Sequence, residues 1–243
     1  KYTVLDLFCG CGGLSLGFEK AGYDVLLGID IWKDALETYK FNHHNSNVLC
    51  ADMSSLKGVE VSSFLDGKKV DVIIGGPPCQ GFSIAGKRIV DDERNKLYKG
   101  FVRMVAYFKP RAFVMENVPN ILSIGGGVVK QSILEDFQEL GYNVETKVLL
   151  ASDYGVPQNR RRAVFVGLYN GVFDFNIPTV EHKVTTEEAL GDLSEESIAD
   201  KSSYPIAPSC DYQRLMRANS NEVWNHDITQ HNEQTKRIIA LVP

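Results

Sequence analysis

The stretch 6–18, written DLFCGCGGLSLGF, joins the end of an apolar run to the start of an amphipathic one. The run that ends at Phe8 reads as a buried strand, and a helix is predicted from about Leu14 to Lys20. Glycines at positions 10, 12 and 13 separate the two elements. In open α/β sheets, ligands bind beyond the carboxyl ends of strands, where glycines let the backbone approach them closely. This stretch therefore predicts an α/β fold with a ligand over its first loop, against the alternative of an ordinary tight turn.

The spacing of the glycines restricts the class of ligand that the first loop could bind. A dinucleotide fingerprint starting at Gly10 and Gly12 needs a third glycine where this chain has Ser15. Binding of a phosphate group is therefore disfavoured, whereas a nucleoside lying over the loop remains compatible. Asp30, at the tip of the second predicted strand, is placed to bond a ribose hydroxyl. Asp52, at the tip of the third, is placed to accept from an exocyclic amine, although both acids could simply be solvated.

A pattern of strand followed by helix repeats through the first two-thirds of the chain. Strands are predicted at 2–8, 24–30, 47–50, 70–74, 112–116, 144–150 and 162–168, and helices at 14–20, 33–42, 98–108 and 128–140. Nearly continuous apolar strands that alternate with helices are typical of a mainly parallel, doubly wound sheet covered on both faces. After residue 169, a capping box at Thr185-x-x-Glu188 predicts a short helix. Residues 194–212 read as a loop, and 225–241 as one last helix.

Length and composition restrict the class of protein. A chain of 243 residues with 44% hydrophobic and 23% charged residues is typical of one large globular domain, alone or with a small appendage. No apolar run approaches the roughly 20 residues of a membrane span, and the sequence opens without a basic-then-apolar leader, so a cytoplasmic location is expected. The net charge of −5 is the wrong sign for a protein whose whole surface grips nucleic acid.

Five cysteines, at 9, 11, 50, 79 and 210, argue against a disulfide framework because the number is odd and the spacing irregular. The pair at 9 and 11 is too close for the usual C-x2-C metal loop, and no second pair follows, so no metal site is expected. Cys9, Cys11, Cys50 and Cys210 are interpreted as small hydrophobic residues, with Cys210 in a loop that could expose it.

Cys79 has a different setting, the segment GGPPCQGFS at 75–83, directly after the apolar run VDVII at 70–74. A thiol is a useful nucleophile only as thiolate, and free cysteine has a pKa of roughly 8.5. Just beyond a strand, beside Pro77 and Pro78 and facing free backbone N–H groups, a thiolate would be both exposed and stabilised. Apolar packing would not need these neighbours, so Cys79 is the candidate nucleophile.

Two further stretches converge on the same edge of the predicted sheet. Glu116 ends the fifth strand, where a buried acid could hold or donate a proton to a ring nitrogen. Arg160, Arg161 and Arg162 begin the last strand, and alternation would put Arg160 and Arg162 on one face. Paired guanidinium groups suit a phosphate or a base carbonyl. Taken singly, these are an ordinary strand-end acid and a solvated basic run; together with Cys79 they indicate a catalytic site.

The ordered set DLFCGCGG, Asp30, Asp52, PPCQGFS, ENV and QNRRR resembles the DNA cytosine-5 methyltransferases of the bacterial restriction-modification, Dcm-like type. The resemblance runs from Val4 to about Gly167, in the order and spacing of that family. PPCQ followed by ENV and Q-x-R-x-R is highly specific, whereas the glycine loop alone is not. The GFS after PPCQ resembles the DNA-modifying branch more than the branch that acts on transfer RNA.

The resemblance implies a class I, Rossmann-like fold that binds S-adenosyl-L-methionine and releases S-adenosyl-L-homocysteine, with no metal. Asp30 would hold the ribose, and Asp52 the adenine amine. The residues implied to surround the cofactor are Phe8, Gly10, Gly12, Gly13, Asp30, Ile31, Asp52, Met53, Pro78 and Leu97. The division implied is a catalytic and cofactor-binding domain at 1–169 and, at 170–243, the start of a region leading to a target-recognition domain.

The resemblance also implies the chemistry. Cys79 would attack C6 of a cytosine flipped out of duplex DNA, and Glu116 would bond N3 and the exocyclic amine. Arg160 and Arg162 would hold the extruded nucleotide, Arg162 being the base contact. Further substrate-binding positions implied are Gln80, Ser83, Asn117, Val118 and Gln158.

The sequence departs from the family after the arginine strand. A variable recognition region, a following Arg-containing segment and a final G-N-[SA]-V-like stretch are not found between Leu168 and Pro243. The chain is then expected to be one part of a split enzyme, a shortened form, or a sequence with residues left out. A second polypeptide or missing segment would complete the cofactor pocket and supply much of the basic surface that binds DNA. The alternatives are a non-catalytic DNA-binding or partner-binding relative, and an RNA cytosine-5 methyltransferase. The expected location is the bacterial cytoplasm, in association with the nucleoid.

Overall fold

The computed structural model describes residues 1–78, 96–194 and 196–241, together with the backbone of 84–85 and 88–89. The strands are β1 (Thr3–Leu7), β2 (Asp24–Asp30), β3 (Asn47–Cys50), β4 (Val72–Gly75), β5 (Ile84–Ala85), β6 (Arg88–Ile89), β7 (Ala112–Asn117), β8 (Asn143–Leu150), β9 (Arg161–Leu168), β10 (Ser202–Ser203) and β11 (Glu222–Val223). The α-helices are α1 (Gly13–Lys20), α2 (Lys33–Asn42), α3 (Gly58–Ser62), α4 (Lys96–Phe108), α5 (Val128–Glu139), α6 (Thr186–Leu190), α7 (Asp211–Arg217) and α8 (Glu233–Ile239). Short 3-10 segments lie at Pro119–Leu122, Ile124–Gly127 and Ala151–Tyr154.

Seven strands form one sheet in the order β3-β2-β1-β4-β7-β9-β8. The first five in this order run parallel, β9 runs antiparallel to β7, and β8 runs antiparallel to β9. The prediction of a mainly parallel sheet is confirmed. The chain moves outward from β1 to β3 and then returns to the other side of β1 at β4. This reversal opens a crevice at the carboxyl ends of β1 and β4, the usual ligand position in such sheets.

The sheet is covered on both faces, as its continuous apolar strands predict. On one face, Leu5, Leu7 and Ile73 belong to a buried cluster that also contains side chains from α4 and α5. On the other face, Val4 and Ile74 belong to a second cluster against which α1 packs. Alternate residues of one strand therefore serve two separate cores, and this fixes the strand register.

The chain divides into two compact units. The first comprises residues 1–150 and 161–178 and contains the seven-stranded sheet; the second comprises 151–160 and 179–243 and contains α6, α7, α8 and the β10–β11 pair. Within the second unit, the largely buried Arg217 pairs with the carboxylate of Asp192. Its guanidinium also lies 3.7 Å from the centre of the Tyr204 ring. Removing either charged partner would leave a buried charge without its counterion, which is strongly destabilising.

The predicted last helix at 225–241 is wrong in extent, because only α8 is an α-helix there. Asn225 has a left-handed φ of 54°, and the backbone of His226 instead forms a bridge with Ile198. The helix begins only after Asn232, whose side chain accepts a hydrogen bond from the backbone N–H of Thr235 at 2.8 Å. A local cap therefore sets the start of this helix.

The predicted loop at 194–212 is also incomplete, since it contains β10 and runs into α7, which the sequence analysis missed. The capping box of α6 is confirmed: the Thr185 hydroxyl accepts from the Glu188 N–H at 3.1 Å, and the Glu188 carboxylate accepts from the Thr185 N–H at 2.8 Å. None of the helices in the described part of the chain is long and apolar enough to cross a membrane.

The interpretation of four cysteines as buried hydrophobic residues holds for one of them. Cys9 is buried against α2, whereas Cys11 and Cys50 are exposed and Cys210 is half-buried. The exposed pair lie in the glycine loop and at the tip of an edge strand, where loop geometry rather than apolar packing decides exposure.

Candidate active site

A cavity of about 570 Å³ opens at the carboxyl ends of β1 to β4 and at the start of α4. This volume is within the range of small-molecule sites. The lining residues are Phe8, Asp30, Ile31, Ala51, Asp52, Met53, Ser54, Gly76, Pro78, Lys96 and Leu97. The walls are therefore mainly apolar, with two carboxylates at strand tips and one ammonium group.

Seven of the ten residues predicted to surround a cofactor line this cavity, and the three that do not are Gly10, Gly12 and Gly13. The sequence analysis missed four lining residues: Ala51, Ser54, Gly76 and Lys96. Each adjoins a residue or motif that was singled out, but a small side chain or a lone lysine carries no signal of its own. Knowledge of where β3 ends and where α4 begins would have been needed to find them.

The first loop contacts the cavity through the backbone of Gly10, which binds the lining residue Asp30. The N–H of Gly10 donates to Asp30 Oδ2 at 2.8 Å, and the N–H of Trp32 donates to Asp30 Oδ1 at 2.9 Å. Gly12 has a φ of 92°, and a Cβ there would stand 2.1 Å from His43 Nε2. Phe8 is also left-handed, with a φ of 62°, although it is not a glycine. Strained conformations of this kind persist where the surroundings enforce them, often at functional sites.

Asp52 is held as an acceptor. Its Oδ1 accepts from the backbone N–H of Ser54 at 2.8 Å. This backbone hydrogen bond, then the Ser54 side chain and the charge of Lys96, lower the pKa of Asp52 below its ordinary value. An ionised carboxylate accepts hydrogen bonds and donates none, so Asp52 is suited to a ligand group that donates, such as an amine.

Beneath the glycine loop lies a buried acid that does not line the cavity. Asp6 is 1% exposed, and its Oδ2 accepts from the Ser15 hydroxyl at 2.6 Å. Ser15 in turn lies 2.9 Å from the Tyr39 hydroxyl, while Asp6 Oδ1 has no hydrogen-bond partner among the described residues. Burial raises the pKa of Asp6 to about 7, against the opposing effect of the Ser15 hydrogen bonds, and the charge of Asp30 raises it further.

We expect Asp6→Asn to remove a dependence of stability on pH. Between pH 4 and 7 the folded protein retains a proton that the unfolded chain, with a pKa of 3.8, has released, so the free energy of unfolding falls as pH rises. At about 1.4 kcal/mol per pH unit, the loss reaches on the order of 4 kcal/mol above pH 7. Urea unfolding at intervals from pH 4 to 8 measures it. Asparagine keeps an oxygen that can accept from the Ser15 hydroxyl. If the free energy of unfolding depended on pH in the same way in the wild type and in Asp6→Asn, the expectation would be contradicted.

Glu116 and Arg162 form an ion pair beside the cavity. Arg162 Nε lies 2.5 Å from Glu116 Oε1, and the two side chains are 25% and 32% exposed. Glu116 is paired with Val164 in the ladder, so Arg162 is its diagonal neighbour on the same face. Glu116 Oε2 is also 3.1 Å from where a Cβ on Gly76 would stand, and Gly76 lines the cavity. The Glu116 carboxylate is therefore partly open to solvent and paired with a guanidinium.

Asn117 faces the opposite side of β7 and has a different set of contacts. It is 5% exposed, and its Nδ2 donates to the carbonyl of Pro77 at 2.8 Å. Its Oδ1 accepts from the N–H of Val118 at 2.9 Å. The first of these bonds ties β7 to the Pro77-Pro78 segment. Asn117 was predicted to bind substrate, but in the described residues its carboxamide is engaged by the protein's own backbone.

The remaining predicted residues are placed differently. Gln158 and Arg160 are exposed and belong to the second unit. Arg160 lies one residue before β9, which begins at Arg161, and its carbonyl accepts from the N–H of Ala151 at 2.9 Å. That Arg160 and Arg162 share one face stays a prediction. Cys79, Gln80 and Ser83 lie outside the described residues. The described part of the chain contains no group of three or more His, Cys, Asp or Glu that could hold a metal ion.

Comparison with known proteins gives consistent matches. The chain is 42% identical to the Type II methyltransferase M.DdeI of Desulfomicrobium norvegicum, over 96% of this chain and 59% of that protein. It is also 42% identical to the Type II methyltransferase M1.HphI of Haemophilus parahaemolyticus, over 99% of this chain and 60% of that protein. The chain thus spans about three-fifths of the length of these curated relatives.

Among solved structures, a DNA modification methyltransferase encoded within a prophage of E. coli has a TM-score of 0.80 and 27% sequence identity, covering 98% of this chain and 74% of that one. The family of C-5 cytosine-specific DNA methylases matches residues 2–240, nearly the whole sequence. The chain therefore belongs to the C-5 cytosine-specific DNA methylase family.

Proposed function

We propose that this chain is the catalytic part of an enzyme that transfers a methyl group from S-adenosylmethionine to C5 of cytosine in duplex DNA. One observation carries the proposal: a nucleoside-sized cavity and the Glu116–Arg162 pair meet at Gly76, within the segment that leads to Cys79. This arrangement supports a site for a methyl donor next to a site for a base. Membership in the methylase family supports the same reaction.

The residues of the cavity fit S-adenosylmethionine. Phe8, Ile31 and Leu97 offer apolar surface to a purine ring, and Asp30 and Asp52 offer carboxylate oxygens to ribose hydroxyls and to the adenine amine. Each carboxylate already has a backbone N–H that fixes its orientation. The bound cofactor would supply an activated methyl group on its sulfonium.

The chemistry assigned to the protein is covalent catalysis. Cytosine C5 is a weak nucleophile, and addition of the Cys79 thiolate to C6 makes C5 enamine-like, so that it can take the methyl group. Loss of the C5 proton and elimination of the thiolate then restore the ring and release 5-methylcytosine. Glu116, oriented by Arg162, would bond N3 and the exocyclic amine of the base. A stacked base cannot be approached in this way, so the cytosine must be flipped out of the duplex.

The wider setting belongs to the same proposal. The curated relatives named above are Type II methyltransferases, which supports a sequence-specific role in restriction-modification. A bacterial cytoplasmic, nucleoid-associated location, and a second polypeptide or further segment that carries the recognition region, stay predictions.

Methyl transfer can be tested directly with S-adenosylmethionine labelled in its methyl group. The substrates are duplex DNA, the same duplex with every cytosine replaced by 5-methylcytosine, and transfer RNA. Label in the first duplex alone is the expected result. Label in transfer RNA would favour an RNA enzyme. Cofactor binding without transfer to any substrate, even with the segment or polypeptide that carries the recognition region present, would favour a non-catalytic relative.

A further inference from the structure

Arg103, on α4, reaches the loop that follows β3. Its Nη2 donates to the carbonyl of Met53 at 2.7 Å and to that of Ser54 at 3.4 Å, and its Nε donates to the carbonyl of Leu56 at 3.1 Å. One guanidinium therefore holds three carbonyls of a single turn. Its planar fork of donors suits such a task, which an ammonium group cannot reproduce.

The shortest of these bonds, to the carbonyl of Met53, is linked to Asp52 through one peptide group. The carbonyl of Met53 and the N–H of Ser54 belong to the same peptide unit, which is planar. The carbonyl end is bound by Arg103 at 2.7 Å, and the N–H end donates to Asp52 Oδ1 at 2.8 Å. Fixing one end of a rigid plane fixes the other, so the guanidinium orients the carboxylate through one peptide group.

Packing of α4 restrains the same carbonyl independently. A Cβ on Gly100 would stand 2.4 Å from the oxygen of Met53, so this oxygen lies against the helix backbone. The first residues of α4, Lys96 and Leu97, line the cavity together with Asp52 and Met53. Arg103 thus joins the two segments of chain that carry these four lining residues.

We propose that Arg103 is a positioning residue that aims Asp52 at the amine of the bound purine and so sets a preference for a 6-amino over a 6-oxo purine. The inference rests on the proposed function, because it assumes the adenine nucleoside of S-adenosylmethionine in this cavity. A 6-oxo purine presents a carbonyl where adenine presents its amine, and a carboxylate in a fixed position accepts from the amine and repels the carbonyl oxygen.

The test compares two ligands that differ at this one group, S-adenosylhomocysteine and S-inosylhomocysteine. Calorimetry gives the Kd of each for the wild type and for Arg103→Lys, Asp52→Ala and the double variant. We expect Arg103→Lys to weaken the adenine ligand by about 10- to 100-fold and to leave the inosine ligand nearly unchanged. In the Asp52→Ala background the same substitution should have little further effect, because the group it positions is gone.

Two controls distinguish the proposed positioning of Asp52 by Arg103 from a general disruption of the fold. Arg111→Lys is the matched variant, since the Arg111 guanidinium contacts the Tyr2 hydroxyl at 3.1 Å and not the cavity loop; it should keep the wild-type ratio of the two Kd values. Hydrogen exchange gives a readout without ligand: Arg103→Lys should speed exchange at the amides of Ser54 and Leu56, which bond Asp52, and leave the strand amides of the sheet unchanged.

The outcomes are distinct. Equal loss of affinity for both ligands, additive effects in the double variant, or unchanged exchange at Ser54 and Leu56 would overturn the role of Arg103 while leaving the proposed function intact. Wild-type protein that binds neither ligand, with the segment or polypeptide that carries the recognition region present, would overturn the cofactor assignment and this inference with it.

Discussion

Cys79→Ala should reduce methyl transfer to cytosine by about 10⁴-fold or more while S-adenosylhomocysteine binds as it does to the wild type. Without the sulfur no adduct forms at C6, and C5 stays too weak a nucleophile to take the methyl group. The residues that line the cavity are unchanged by this substitution, so the affinity for the cofactor is expected to persist. Transfer of labelled methyl to duplex DNA and calorimetry with S-adenosylhomocysteine measure the two properties separately.

Trapping of the covalent adduct provides a second test of Cys79→Ala. In duplex DNA that carries 5-fluorocytosine, the C5 position has no proton to lose after methyl transfer, so elimination of the thiolate is blocked and the protein stays attached. Wild-type protein should give a denaturant-resistant complex with this DNA, and Cys79→Ala should give none. Cys210→Ser is the matched cysteine variant, because a hydroxyl can still donate to the Glu188 carbonyl as the thiol does. Turnover by Cys79→Ala above a hundredth of the wild-type rate would exclude Cys79 as the nucleophile.

Glu116→Gln should lower kcat by about 10²- to 10⁴-fold with little change in the affinity for S-adenosylhomocysteine. Glutamine keeps the size of the side chain and an oxygen for Arg162 Nε, but it can neither carry a proton to N3 nor offer a charged acceptor to the amine. Single-turnover transfer of labelled methyl at saturating DNA measures the chemical step.

Glu139→Gln, at the exposed end of α5, makes the same chemical change away from β7 and should leave the rate unaltered. A Glu116→Gln enzyme that keeps more than a tenth of the wild-type rate would show that this carboxylate takes no part in the chemistry. An equal fall in cofactor affinity would point instead to a structural role for the Glu116–Arg162 pair.

The sheet could be predicted well because its signals are local. The predicted bounds of β2, α2 and β3 coincide with the structure, since each apolar or amphipathic run is closed by glycines, charged residues or asparagines. The second unit could not be predicted in this way. Its helix α7 has seven residues, and Leu215 and Met216 within it are exposed, so no periodic burial marks it.

The residues of the candidate site also fall into those that local sequence signals could predict and those that they could not. Residues at the carboxyl ends of strands, such as Asp30 and Asp52, could be found from motifs and from the rule for ligands in open sheets. Contacts made through the backbone could not: Arg103 recognises three carbonyls, which no side-chain pattern records. The pairing of Glu116 with Arg162 depends on the register of β7 against β9, which becomes visible only when the sheet is assembled.

Two neighbours on β7 have separate duties, because Glu116 turns toward Arg162 and Gly76 while Asn117 turns away to grip Pro77. A slip of this strand by a single residue would exchange the two sides, aiming an amide at the guanidinium and a carboxylate at the proline carbonyl. The proposed catalytic arrangement therefore depends on the correct register of β7 against β4 and β9. A chain with β7 shifted by one residue would keep its strands and helices but lack the Glu116–Arg162 pair that the proposed reaction needs.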